Sequence, residues 1–238
     1  MVPTFKRIER LYNLIYTAYN TAQDKSSIQF CLCVNKNDKD TIDFIPVLSN
    51  DLGIDIEVVI EETDQPNLAF YFNLMYDNTN HKDAVVSMLG DDMSFITPGW
   101  DIHVLDAINS RDGKAVVFCD DGFIAHDKLC VNMFTTRELV ESTQKPFMCP
   151  IFHAEMIDVV WYLYGQSTST LLYIPNVIIK HDHDSGKPET ERDYTFNRMV
   201  PLRQSVNGNK ASQKIAFAWA TVMACNSIKN GVGKWNVL

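Results

Sequence analysis

The strongest constraint on the fold of this chain is a change of hydrophobic period that recurs through its first 90 residues. Ile8, Leu11, Tyr12, Ile15 and Tyr19 fall at helical spacing. Ile28 to Val34 (IQFCLCV) is then short, branched and apolar, the pattern of an interior strand. Asp40 to Asn50 returns to helical spacing, with Ile42, Ile45 and Leu48 on one face. Ile56 to Ile60 (IEVVI) is a second strand, and Leu68, Phe72, Met75 and Tyr76 give another helical face. Ala84 to Leu89 (AVVSML) is a third strand, ending at Gly90-Asp91-Asp92. Strands that are apolar on both faces and separated by helices need covering on both sides. The pattern therefore predicts an α/β fold with a mostly parallel central sheet. A further first strand has to be very short, near Met1 to Pro3.

The second half is less regular. Pro98 to Ile108 reads as a helix, Lys114 to Cys119 as a strand and Thr135 to Glu141 as a short helix. Ala154 to Tyr164 is an amphipathic helix with Ile157, Val160, Trp161 and Tyr164 on one side. Thr170 to Ile174 and Val177 to Lys180 read as a hairpin-like pair around Pro175-Asn176. Val206 to Lys210 (VNGNK) reads as a linker, and Ala211 to Ile228 as a helix. These readings divide the chain into a domain over 1–204 and a linker with a helical extension over 205–238. Ile215, Phe217, Trp219, Val222 and Met223 make the extension too apolar for a free tail, so it is expected to pack on the domain or on a partner subunit. There is no internal repeat.

Composition narrows the function classes. With 21 Lys and Arg against 30 Asp and Glu, the net charge is −9, which disfavours a general grip on nucleic acid. No apolar run is long enough for a membrane span, and the start lacks a signal-peptide core. The six cysteines form no C-x-x-C pair, and most lie in apolar surroundings. Buried free thiols point to the reducing cytoplasm, that of the host if the chain is viral. Cys31 and Cys33 point the same way if their segment is a strand. The phosphate-binding P-loop, the dinucleotide G-x-G-x-x-G, the G-x-S-x-G elbow and H-E-x-x-H are all absent.

Three polar clusters remain. In an open α/β sheet, ligands sit beyond the carboxyl ends of the strands, where Asp91 and Asp92 fall. Two adjacent carboxylates repel unless a cation or donors offset them, and Mg²⁺ or Mn²⁺ suits them. A solvated acidic turn is the alternative. His181-Asp182-His183-Asp184 follows another apolar strand, and alternation puts both imidazoles on one face, able to share a metal or simply to face water. Asp158 and Glu155 lie on the helix rich in Ile, Val and Trp, where a carboxylate can act as a base or face solvent. His153 precedes that helix as a cap, a substrate contact or a metal residue.

The order of these motifs resembles the glycosyltransferase family 2-like group of the GT-A fold, especially small phage and bacterial members. The resemblance rests on VPTFKRIERL (Val2 to Leu11), LGDDMSFITPGWD (Leu89 to Asp101), PIFHAEMIDVVWYLYG (Pro150 to Gly165) and LYIPNVIIKHDH with Asp193-Tyr194 downstream. It covers about residues 1–198. It implies a GT-A-like α/β/α sandwich with a carboxy-terminal helical appendage. It also implies transfer of a sugar from a nucleoside diphosphate donor, a uridine one by family habit, to an acceptor hydroxyl with Mn²⁺ or Mg²⁺. Pro3, Thr4 and Arg7 would line the nucleotide edge, with Asp38 keeping the acidic character of the base-contacting run. Asp91 and Asp92 would stand at the metal and ribose-phosphate motif, although Met93 replaces its usual third acid. Asp158 stands at the catalytic-base position with Glu155 and His153 as rivals, and His181 or His183 as the late metal ligand. Trp161 could form an apolar wall for the sugar. One metal and one base suffice for inversion. A nucleotidyltransferase, and a non-catalytic binding protein retaining the fold, are the competing readings. A homo-oligomer is compatible with both.

Overall fold

The computed structural model of the protein describes residues 1–63, 67–79, 84–123, 125–152, 155–183, 210–234 and 236. The amino half runs β1 (Val2–Thr4), α1 (Ile8–Thr21), β2 (Phe30–Asn35), α2 (Lys39–Leu52), β3 (Ile56–Glu61) and α3 (Leu68–Asn78). The carboxy half follows as β4 (Val85–Ser87), β5 (Met93–Phe95), α4 (Trp100–Asn109), β6 (Val116–Asp120), β7 (Met133–Thr136), α5 (Arg137–Ser142), α6 (Glu155–Thr168), β8 (Leu171–His181) and α7 (Lys210–Lys229).

β1, β2 and β3 form a parallel sheet in that order, as the alternation of the amino half predicts. The second sheet has the order β4-β7-β6-β8-β5 and is mixed, with only β6 and β8 parallel. The Leu89 N–H donates to the Met1 carbonyl at 3.1 Å, tying the β1 edge to the segment leaving β4.

Strand alternation feeds two cores. On β2, Phe30, Leu32 and Val34 face α1, α2 and α4, while Cys31 and Cys33 face the core that holds α3, α6 and α7. On β6, Val117 and Cys119 join the first core and Val116 and Phe118 the second. The result is the expected α/β/α sandwich, with α7 as the carboxy-terminal helix packed on α6.

The hairpin expected around Pro175-Asn176 does not form. β8 is one strand from Leu171 to His181. Beside it the β6 register jumps from Cys119↔Ile174 to Asp120↔Ile178, so Pro175 to Val177 are taken up as an irregularity. Proline is tolerated there because no ladder donor is needed. The expected linker at Val206 lies outside the described residues, apart from Lys210, which opens α7.

Gly99 shows what the Gly-Trp-Asp motif does in the fold. It caps α4 with φ +71°, a left-handed conformation suited to glycine. Its N–H donates to the Thr21 carbonyl at 2.6 Å. The Trp100 indole N–H donates to Ala18 O at 2.9 Å, and the Asp101 carboxylate accepts the N–H groups of Gln23 and Asp24 at 2.8 Å each. The motif therefore bolts the start of α4 to the end of α1.

Five of the six cysteines are buried and Cys225 is exposed; all six are free thiols. Burial pushes Cys31 up to about 11 and Cys33 up to about 12, and raises Cys119, Cys130 and Cys149 as well. Since the thiolate is the reactive form, iodoacetamide should modify the native protein only at Cys225, and all six cysteines in guanidinium. Peptide mass spectrometry checks this, and rapid native labelling of Cys31 or Cys33 would contradict the packing of β2. For both thiols the folded pKa lies above the ordinary value of 9.0. Their contribution to stability is therefore full below that value and lost as pH rises toward the folded pKa.

Candidate functional site

The site is assembled at the carboxyl end of β1, the turn after β4 and the end of β8. Asp91 is buried, and its carboxylate accepts from Thr4 Oγ1 at 2.9 Å and from an Arg7 guanidinium nitrogen at 2.7 Å. Thr4 ends β1 and Arg7 precedes the first turn of α1, so the opening motif and the acidic doublet meet across 84 residues of sequence. Pro3 sits within β1, paired with Cys33. Asp38 caps α2, accepting from Thr41 N–H, and also accepts from the Lys6 N–H at 2.6 Å. That second bond ties the loop after β2 to the loop after β1.

Asp92 turns the other way. One carboxylate oxygen lies 3.3 Å from His181 Nε2, and the other lies 3.8 Å from Arg10 and 4.0 Å from Arg7. Gly90 makes this possible, because a Cβ there would stand 2.5 Å from the Asp92 carboxylate. The Asp182 N–H donates to Asp92 O at 2.8 Å, and Met93 pairs with His181 in the β5–β8 ladder. The His181 and His183 rings meet edge to face with centroids 4.9 Å apart, on one side as strand alternation requires.

Electrostatics separate the two acids. Burial raises Asp91, against the pull of Arg7 and with the repulsion of Asp92. Burial would raise Asp92 too, but the hydrogen bond and charge of His181, then Arg7 and His183, outweigh it and hold the carboxyl below its ordinary value.

Of the three base candidates, Asp158 alone has its side chain among the described residues. Asp158 is half-buried on α6, and its charge adds to the effect of burial in raising the Cys130 thiol, which places it beside the loop after β6. Glu155 opens α6, while its side chain and all of His153 and Asp184 lie outside the described residues. Trp161 is not a wall for a sugar. It is fully buried, its N–H donates to Phe147 O at 3.2 Å, and its ring packs on Phe147 and Tyr164. With Ile157, Val160 and Tyr164 it forms the inward face of α6.

Sequence reasoning missed Arg10, one turn beyond Arg7 on α1. It also missed a second acidic doublet at a strand end, Asp120-Asp121. The ligand atoms of Asp120, Asp121 and His126 lie within 4.8 Å of one another, a spacing that could hold a metal ion. Asp121 is also committed to the loop, accepting the N–H groups of Phe123, Ala125 and His126. Asp120 accepts from Tyr173 OH at 2.7 Å and lies 3.1 Å from His126 Nδ1. The His181 N–H donates to Asp121 O at 2.8 Å, so this cluster adjoins the end of β8. The signal that flagged Asp91-Asp92, paired acids after an apolar strand, was present here too.

No family model and no curated protein matches this sequence. Solved structures do match. One is TarS 1–349 of S. aureus, at 11% identity and TM-score 0.59, covering 97% of this chain and 72% of that one. A longer TarS chain is matched over 43% of its length. Another is the mannosyltransferase PcManGT of Pyrobaculum calidifontis, at 12% identity and TM-score 0.60, covering 99% and 75%. A third is glucosyl-3-phosphoglycerate synthase of Mycobacterium tuberculosis, at 11% identity and TM-score 0.55, covering 86% and 76%. At these identities the likeness is one of fold, and the fold of this chain is GT-A-like.

Proposed function

We propose that the protein is a metal-dependent glycosyltransferase, family 2-like, that moves a sugar from a nucleoside diphosphate to an acceptor hydroxyl with inversion. The observation that carries this reading is the meeting of the Thr4–Asp91–Arg7 cluster with the Asp92–His181 pair at the strand ends of a GT-A-like fold, where α/β proteins bind ligands. The matched structures include complexes with UDP-GlcNAc, with GDP-Man and Mn²⁺, and with UDP and Mn²⁺. These support a nucleoside diphosphate donor; the uridine preference rests on the sequence resemblance.

Asp92 and His181 are spaced as two ligands of one divalent cation, while the three-ligand cluster among the described residues is Asp120, Asp121 and His126. Neighbouring ligands of an ion bound at about 2.1 Å stand about 3 Å apart, and the Asp92 oxygen and His181 nitrogen are 3.3 Å apart. Mixed carboxylate and imidazole donors suit Mn²⁺ better than Mg²⁺. Asp92, His181 and His183 would hold the ion, which when bound takes up charge on the leaving diphosphate. Arg7, oriented by Asp91, supplies a fixed cation for phosphate, with Pro3 and Thr4 lining that edge and Asp38 the nucleobase side. Asp158 removes the acceptor proton as the acceptor oxygen attacks the anomeric carbon, with Glu155 and His153 as alternates. A carboxylate outside the metal shell keeps the basicity this needs.

Calorimetric titration with UDP and GDP, with and without Mn²⁺, tests the reading. In the wild type Mn²⁺ should tighten diphosphate binding by about 5–150-fold, the usual span of coupled ligands. Asp92→Ala and His181→Ala should abolish that coupling while metal-free affinity stays. Unchanged affinity with Mn²⁺ in the wild type would remove the shared site. A response to triphosphates alone would shift the reading to nucleotidyl transfer, and none to any nucleotide would favour a non-catalytic binding protein.

A further inference from the structure

Arg10 stands where helix electrostatics disfavours a cation. It lies in the first turn of α1, just after Arg7 at the cap. The amino end of a helix carries partial positive charge, so an acid such as Glu9 suits that turn and an arginine opposes it. The reason for Arg10 therefore has to come from its surroundings. Its side chain is 23% exposed, and its guanidinium lies 3.8 Å from an Asp92 oxygen, an ion pair beyond hydrogen-bond length. Arg7 is placed differently. It is 11% exposed, 2.7 Å from Asp91 and 4.0 Å from the same Asp92 oxygen. Arg7 is fixed by a short bond to its own acid, whereas Arg10 meets Asp92 through charge across a longer gap.

Asp92 is also the carboxylate a divalent cation needs, since its other oxygen lies 3.3 Å from His181. One carboxylate cannot neutralise a guanidinium and a doubly charged ion at full strength, and the two cations repel each other across it. A diphosphate removes the conflict. It brings negative charge to both, and its oxygens match the two-pronged donor geometry of a guanidinium. The guanidinium stays charged at any working pH, so the effect needs no titration.

We propose that Arg10 is a positioning residue that makes cation and diphosphate bind together: it opposes a cation arriving alone at Asp92, and it grips the diphosphate once the cation takes that carboxylate. This rests on the transferase reading of the same site and adds an order to it. The cation and the nucleoside diphosphate enter as one complex, rather than the cation first.

Arg10→Met and Arg10→Lys test this, with free Mn²⁺ followed by its electron paramagnetic resonance and UDP by calorimetry. In Arg10→Met, Mn²⁺ alone should bind about three- to tenfold more tightly, because one competing charge pair has gone. UDP with saturating Mn²⁺ should bind at least about tenfold more weakly, the worth of a hydrogen bond to a charged group. UDP alone should lose less, so the coupling between the two ligands shrinks, by the same factor whichever is titrated first. Arg10→Lys keeps the charge. It should stay near the wild type for Mn²⁺ alone and recover part of the UDP affinity. An arginine with a merely structural role would weaken both ligands together or neither. Either result, with coupling intact in the wild type, would overturn the proposal and leave the transferase reading standing. Absence of coupling in the wild type would remove that reading, and this inference with it.

Discussion

Asp158→Asn is expected to fold and to bind nucleotide like the wild type, yet to lower sugar transfer by about 10²–10⁴-fold, the usual worth of a positioned base. The neighbours on α6 explain why stability should not change. Ile157, Val160, Trp161 and Tyr164 are buried on the inward face, whereas Asp158 is only half-buried. A substitution of near-equal shape outside the packed face usually stays within about 0.5 kcal/mol. Nucleotide affinity should hold because the Asp92–His181 pair and the Asp91–Arg7 pair do not include Asp158. Asparagine keeps the outline and some hydrogen bonding but cannot take a proton. The measurement is turnover with UDP-glucose, UDP-GlcNAc and GDP-mannose over a panel of hydroxyl acceptors, beside Glu155→Gln and His153→Asn. Near-wild-type turnover in Asp158→Asn with a collapse in Glu155→Gln would move the base back one helical turn.

The amino half was legible because β2 is apolar on both faces, β3 keeps Ile56, Val58 and Ile60 on one face, and α1 and α2 each carry an apolar stripe. Such patterns leave one arrangement, a sheet with helices on both sides, and β1 to β3 follow it. The carboxy half was harder for physical reasons. β5 and β7 have three and four residues, too short for a period to show. Pro175-Asn176 carries turn chemistry, yet β8 absorbs it in a register irregularity that no local pattern announces.

The same limit applies to the site. Doublets and H-x-H spacing pointed to Asp91, Asp92, His181 and His183, because strand ends and alternation are local properties. What each acid does there depends on partners far away in sequence. Asp91 is oriented by Thr4 and Arg7, and Asp92 by His181. Trp161 shows the opposite failure. A tryptophan one turn from an acid looks like a sugar platform, but which face of α6 is inward is decided by Phe147, Tyr164 and the rest of the core.

Arg7→Ala is expected to be among the most damaging single changes outside the core, costing about 3–5 kcal/mol of stability. Arg7 and Asp91 form an ion pair at 2.7 Å with side chains 11% and 5% exposed. Taking two charges out of water is expensive, and removing one strands the other, which is why broken buried pairs cost more than intact ones contribute. For a chain of this size the loss corresponds to roughly 6–20 °C in Tm. The exposed pair Lys36–Glu62, at 3.4 Å, is the internal contrast. Lys36→Ala should cost no more than about 1 kcal/mol, the range for solvated pairs. Burial already raises the Asp91 carboxyl, and losing Arg7 should raise it further. An acid whose folded pKa lies above its unfolded value contributes less as pH rises, so Arg7→Ala should be weakest at neutral pH and regain stability on acidification. Arg7→Met with Asp91→Asn should recover most of the stability at neutral pH, because neither member of this pair is then left buried as an unpaired charge, while nucleotide affinity stays lost. Urea unfolding of the wild type and the three variants, with nucleotide titration, separates the two effects. A cost below about 1 kcal/mol for Arg7→Ala would mean that Asp91 finds another donor, and the pairing of the opening motif with the acidic turn would not then hold the site together.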